Sequence, residues 1–194
     1  MTSRRDAVRS LAGIAAVPFL GSAGLDDLVK VGRRAHALAE LRGSATPQPP
    51  PRALTAAEYE TVSQAAERII PRTTTPGATE ARVADFIDVM LADWYNDSDR
   101  VRFKTGLGEL DAQARSLAGR AFSQATETQQ TELLEALDRE LTSRRQSGLA
   151  DADDHWFAML KHLTVWGYYT SRPGIEKELR VQIMPGRYDG NAPY

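Results

Sequence analysis

Apolar residues recur at every third or fourth position through most of this chain, and Pro, Gly and helix-capping pairs cut the pattern into segments. A period near 3.6 marks helices that pack through one face, and no stretch alternates apolar and polar residues long enough for a convincing strand. Leu25, Leu28, Val31, Ala35, Leu38 and Leu41 make a first stripe, with Gly43 as its stop. Thr55 and Glu58 have the spacing of a capping box, in which hydroxyl and carboxylate each satisfy an orphan amide. Val62, Ala65, Ala66, Ile69 and Ile70 follow, and Pro71 ends the helix. Thr73 to Gly77 reads as a turn-forming loop. A further stripe runs through Val83, Phe86, Ile87, Met90, Leu91 and Trp94. Val101, Phe103, Leu107, Leu110, Ala114 and Leu117 predict another helix, interrupted at Gly106 and Gly108. Thr126 with Gln129 is a second capping box, ahead of Leu133, Leu134, Leu137 and Leu141. A last helix carries Trp156, Phe157, Leu160, Leu163 and Tyr168, with Asp153 or Asp154 as its expected cap and Ser171 to Gly174 as its end. The expected fold is all-α, a helical bundle or orthogonal array with an irregular C-terminal tail.

Thr46-Pro47-Gln48-Pro49-Pro50-Pro51 interrupts this pattern. Such a segment has no core of its own and reads as an extended spacer rather than a recognition ligand. It places a boundary at residue 53, with a targeting segment over 1–24, a helix and linker over 25–53 and the main domain over 54–194. Charge divides at the same place. Residues 1–53 carry eight Lys/Arg against four Asp/Glu, a net +4, and the remainder carries −6. The whole chain of 194 residues has a net charge of −2, which argues against a nucleic-acid binder. It holds no cysteine, so thiolate catalysis, disulfides and cysteine-ligated clusters are excluded.

The first 24 residues have the three-part form of an export signal. Arg4, Arg5 and Arg9 make a basic start, Leu11 to Leu20 is mostly apolar, and Gly21-Ser22-Ala23 offers small residues for cleavage. The apolar run is shorter than the roughly 20 residues a spanning helix needs. Adjacent Arg4 and Arg5 resemble a twin-arginine signal, although Ala7 stands where that pattern prefers a large apolar residue. The signal implies the twin-arginine translocase, a route for proteins already folded, and a periplasmic location.

Few residues suggest chemistry. His155 and His162 lie two helical turns apart without a carboxylate at a metal-binding spacing, and His36 precedes the linker, outside the expected domain. Asp151, Asp153 and Asp154 lack the glycine and distal Glu of a calcium loop and suit helix capping better. Asp85 and Asp88 are expected on a solvated helix face. No phosphate loop, dinucleotide fingerprint or nucleophile elbow is present, so no catalytic, cofactor-binding or metal-binding residue is expected. Two stretches depart from ordinary scaffold, Trp166 to Gly174 and Met184 to Gly190. Their Tyr168, Tyr169, Arg187 and Tyr188 are candidate partner-binding residues, because Tyr and Arg are over-represented among interface anchors. The alternative is a tail folded back over its own bundle.

These stretches also carry a family resemblance, which runs from Arg4 to the C-terminus. It rests on Ser3 to Asp6, Leu54 to Pro71, Thr75 to Ala78, Val83 to Asp88, Phe157 to Ser171 and Pro185 to Gly190. The chain resembles the small subunit, called subunit 3 or gamma, of gluconate 2-dehydrogenase and related flavin-dependent sugar dehydrogenases. Asn191 stands where many relatives have Cys.

The resemblance implies an accessory role without catalytic residues. A GMC-type large subunit holds FAD and oxidises the sugar or sugar acid, and a multihaem cytochrome c subunit often takes the electrons onward. The small subunit holds no cofactor, carries the twin-arginine signal, and assists maturation and export of the large one. The complex can also hold the chain at the membrane. Two rival readings remain, a metal-dependent helical protein built on His155 or His162 and a stand-alone exported binding module.

Overall fold

The computed structural model describes residues 25–45, 47–148 and 154–180. Among these the chain forms helices and no strand. In chain order they are α1 (Leu25–Ser44), α2 (Ala56–Ile69), α3 (Val83–Asp93), α4 (Asp97–Ala118), α5 (Glu127–Gln146) and α6 (Trp156–Tyr169). A 3-10 turn at Phe122–Gln124 links α4 to α5, and a π-helical turn at Gly174–Glu178 follows α6. The all-α expectation holds for these residues.

Local chemistry sets most of the boundaries. Both capping boxes form, Thr55 with Glu58 at the start of α2 and Thr126 with Gln129 at the start of α5. Asn96 caps α4 by accepting the Asp99 amide at 2.9 Å. Gly119 ends the same helix at φ 69°, a left-handed conformation that a Cβ would oppose. The start of α6 departs from expectation. His155, not an aspartate, caps it, with Nδ1 accepting the Phe157 amide at 3.3 Å. Asp154 lies one residue too early for that role.

α3 is the hub. α1, α2 and α6 all pack on it, so every residue from Val83 to Leu91 is buried rather than a single stripe. Phe86, Phe103, Phe122, Phe157 and Tyr168 are among the largest fully buried side chains of the core. α4 is one continuous helix, contrary to the break expected at its glycines. Gly106 is there for packing: a Cβ on it would lie 2.1 Å from Cγ of Trp156, so its absence lets the indole lie on the helix backbone.

α1 lies directly on the body. Ala35 and Ala39 are buried, and a Cβ on Gly32 would make ordinary contact with the Trp166 indole at 3.6 Å. The His36 ring sits 4.7 Å from that of Phe86. The Pro-rich segment therefore joins two helices packed on the same hub and does not hold α1 away from it.

Candidate functional site

The aspartates of α3 are buried, not solvated as expected. Asp85 is 3% exposed and Asp88 is fully enclosed. Asp88 accepts three successive backbone amides from the chain entering α2, Arg52 at 2.7 Å and Ala53 and Leu54 at 3.0 Å each. Asp85 accepts from the Arg42 guanidinium of α1 and from the Tyr59 hydroxyl of α2 at 3.0 Å. The same guanidinium lies over the Tyr59 ring, 4.5 Å from its centroid. Burial raises the Asp85 carboxyl above its ordinary value, against the Tyr59 hydrogen bond and the Arg42 charge, which pull it down. Burial, reinforced by the Asp85 charge, pushes the Tyr59 phenol up to about 12. The aspartates thus clamp α1 and the chain entering α2 onto the hub. Their i,i+3 spacing is the same on a surface helix, and only the packing of three helices around α3 distinguishes the two cases.

The histidines are separated. His36 Nε2 lies 2.7 Å from Thr170 Oγ1, whose hydroxyl donates to the Trp166 carbonyl, so the ring must donate from Nε2. Burial lowers the His36 pKa to about 4. Burial also lowers that of His162, whose ring centroid is 6.0 Å from that of Trp166. His155 is the helix cap already described. Among the described residues no group of three or more His, Asp or Glu could hold a metal ion.

The candidate partner residues are placed unequally. Tyr168 is wholly buried and donates its hydroxyl to the Pro76 carbonyl at 2.7 Å, fixing the loop between α2 and α3. Its ring is part of the core and presents no surface. Tyr169 is half-buried and meets Tyr168 edge-on, with centroids 5.2 Å apart. Arg4, Arg5, Arg187 and Tyr188 lie outside the described residues. Gly167 sits against Phe86, where a Cβ would come within 2.7 Å of the ring, and this accounts for a glycine among aromatics. After Ser171 the described chain turns into the π-helical segment, and residues 181–194 of the expected irregular tail lie outside the described residues. Ser171 Oγ donates to the Tyr168 carbonyl at 2.6 Å and accepts the Gly174 amide at 3.1 Å, turning the chain into the π-helical segment. Glu178 of that segment accepts the Thr75 hydroxyl.

A shallow cleft of about 590 Å3 lies between the chain entering α2 and α4, lined by Arg52, Ala53, Ala92 and Val101 among others. Its cations are already paired. Arg52 forks onto Asp93 at 2.8 and 2.6 Å, and Arg100 binds Asp97 and the Tyr95 carbonyl. Lys104 reaches Glu58 at 3.2 Å and the Ala53 carbonyl at 3.0 Å. Such a surface suits contact with another protein better than capture of a small anion. Among the described residues no helix is long and apolar enough to cross a membrane.

Comparison with curated proteins and with solved structures gives no match. A family model described as gluconate 2-dehydrogenase subunit 3 matches residues 56–186, from the start of α2 to beyond the π-helical turn. The match covers the hub helix, the capping box of α5 and the aromatic end of α6, and it accounts for more than half of the sequence. The chain belongs to the gluconate 2-dehydrogenase subunit 3 family.

Proposed function

We propose that this chain is the non-catalytic small subunit of a periplasmic, FAD-dependent gluconate or sugar dehydrogenase complex. In this reading it carries the twin-arginine signal and assists maturation and export of a GMC-type flavoprotein subunit. The family match over residues 56–186 carries the reading. Two further features support it. The conspicuous ionisable groups of α3 are committed to structural hydrogen bonds, which suits a scaffold better than a catalyst. The first 24 residues have the form of an export signal led by Arg4 and Arg5.

A flavoprotein that folds around its cofactor cannot pass through a channel for unfolded chains. A bound partner bearing a twin-arginine signal gives it a route. FAD belongs to the large subunit, and a multihaem cytochrome c is a further expected member. Tyr169, with Arg187 and Tyr188 of the C-terminal segment, contributes to docking of the flavoprotein. Arg187 suits a forked contact with a carboxylate, and tyrosines give large contact area at low entropic cost.

The test is the double substitution Arg4→Lys and Arg5→Lys, which keeps the charge. The flavoprotein and its dehydrogenase activity should stay in the cytoplasm. Normal periplasmic activity in that strain would refute export by this route.

A further inference from the structure

α1 is held to the body chiefly by polar ties. Among its described side chains, those fully buried are the small Ala35 and Ala39, whereas Val31 and Leu38 are half-buried and Val29 and Leu41 are exposed. A buried alanine removes far less apolar area from water than a buried leucine or phenylalanine. The other helices hold on by such larger groups, α4 through Phe103, Leu107 and Leu110 and α5 through Leu133, Leu134, Leu137 and Leu141.

Two long side chains of α1 make the ties. Arg42, in its last turn, reaches the buried Asp85 of α3 and the Pro49 carbonyl. His36 donates to Thr170 at the end of α6 and packs on Phe86 of α3. From the other side Arg82 precedes α3 at the left-handed φ of 55°, a strained conformation for a side-chain-bearing residue. Its guanidinium fills the space that a Cβ on Gly43 would need. Phe86 and Trp166, whose rings meet edge-on at 5.5 Å, are 80 residues apart in sequence, so the surface under α1 exists only once α3 and α6 have packed. On the far side of the prolines, Asp88 fixes the amides of Arg52, Ala53 and Leu54. Opening at Arg42 would therefore free α1 as one piece and leave the entry into α2 in place.

We propose that α1 is a latched strap, closed by Arg42 on Asp85, which opens as a unit of its own while the body from α2 to α6 stays folded. It closes only on an assembled α3–α6 surface, and closure fixes the point at which the first 24 residues join the body. Folding of the body thereby controls how the export segment is attached. That last meaning rests on the accessory-subunit reading, and the strap itself does not.

Hydrogen exchange of the full chain tests it, read by mass spectrometry on fragments of α1, α4 and α5. The latter two pack mainly on elements other than α1 and report on the body. Central amides of α1 should exchange at least about tenfold faster than those of α4 and α5. Arg42→Gln should speed α1 about tenfold further, as expected for loss of a hydrogen bond between charged groups, and leave α4 and α5 unchanged. Ala35→Glu sets a charge under the strap without altering the body, and should do the same. Exchange of all three helices at one rate, or their acceleration together in both variants, would make α1 part of a single cooperative core and overturn the proposal. An α1 rate that neither variant moves would overturn the latch. If Arg42→Gln speeds the body because Asp85 is left with one partner fewer, Ala35→Glu decides: acceleration confined to α1 supports the strap, and acceleration of α4 and α5 overturns it. The Arg4 and Arg5 substitutions test export separately, so the two claims fail independently.

Discussion

The Asp88 carboxylate holds the backbone amide of Leu54 at 3.0 Å, across 34 residues of sequence. The amides of Ala53 and Arg52 share the same carboxylate, so one side chain fixes the entry into α2 before its capping box begins. Asp88→Ala would remove three hydrogen bonds and leave the buried Leu54 amide, with two part-buried neighbours, without its acceptor. It should cost about 3 kcal/mol or more, and Asp88→Asn less, because its amide oxygen still accepts. Urea denaturation of the two variants measures both costs. A loss below about 1 kcal/mol for Asp88→Ala would show that the clamp is dispensable.

Two glycines of α4 should answer the same substitution with opposite signs. A Cβ on Gly106 would strike the Trp156 indole, whereas nothing lies within 4 Å of the Cβ position on Gly108. Gly108→Ala should stabilise by roughly 0.5–1 kcal/mol, through helix propensity alone. Gly106→Ala gains the same propensity but overpacks the core, and should destabilise by about 1–3 kcal/mol. Thermal denaturation decides the pair, and equal shifts of the same sign would contradict this account of Gly106.

That contrast marks what the sequence makes legible. The stripes from Val62 to Ile70 and from Leu133 to Leu141, with their capping boxes, are local signals and predict α2 and α5 well. Gly106 reads as a break because its reason is Trp156, 50 residues away. Asp85 and Asp88 read as surface acids because their partners Arg42, Tyr59 and the 52–54 backbone come from other elements. Tyr168 reads as an interface residue because the sequence does not reveal the Pro76 carbonyl that receives its hydroxyl. The aromatic cluster at the end of α6 is visible in the sequence, but which tyrosine faces outward is set by tertiary packing.

His36 predicts a pH dependence. Its folded pKa of about 4 lies below the ordinary value of 6.5, so between those limits the unfolded chain binds the extra proton. Stability should therefore be complete above pH 6.5 and fall as the pH drops toward 4, by up to about 3 kcal/mol. His162, also lowered by burial, acts in the same direction. Asp85, raised by burial, acts in the opposite direction at the acid end. His36→Gln keeps an N–H donor for Thr170 without a titrating ring, and should flatten the fall. An unchanged melting-temperature profile from pH 7 to 4.5 in this variant would remove His36 as its cause.

Deleting residues 181–194 should leave the helical core intact. The described interactions that close the C-terminal turn all lie before that point, including the Leu179 amide on the Gly174 carbonyl at 2.9 Å. Helicity should change little, while capture of the flavoprotein weakens with the loss of Arg187 and Tyr188. Tyr188→Ala alone should cost about 2 kcal/mol, roughly thirtyfold in affinity. Lost helicity in the truncated chain would instead make the segment part of the fold.

The most direct test of the central claim is purification of the tagged full-length chain from its own host under conditions that preserve complexes. Its partner is identified by mass spectrometry, and the visible spectrum is recorded before and after the two chains are separated. The accessory-subunit account predicts that an FAD-dependent oxidoreductase co-purifies in a fixed ratio, and that flavin absorbance and sugar-oxidising activity leave with that partner. Recovery of the chain alone, or flavin absorbance that stays with the separated small chain, would contradict it.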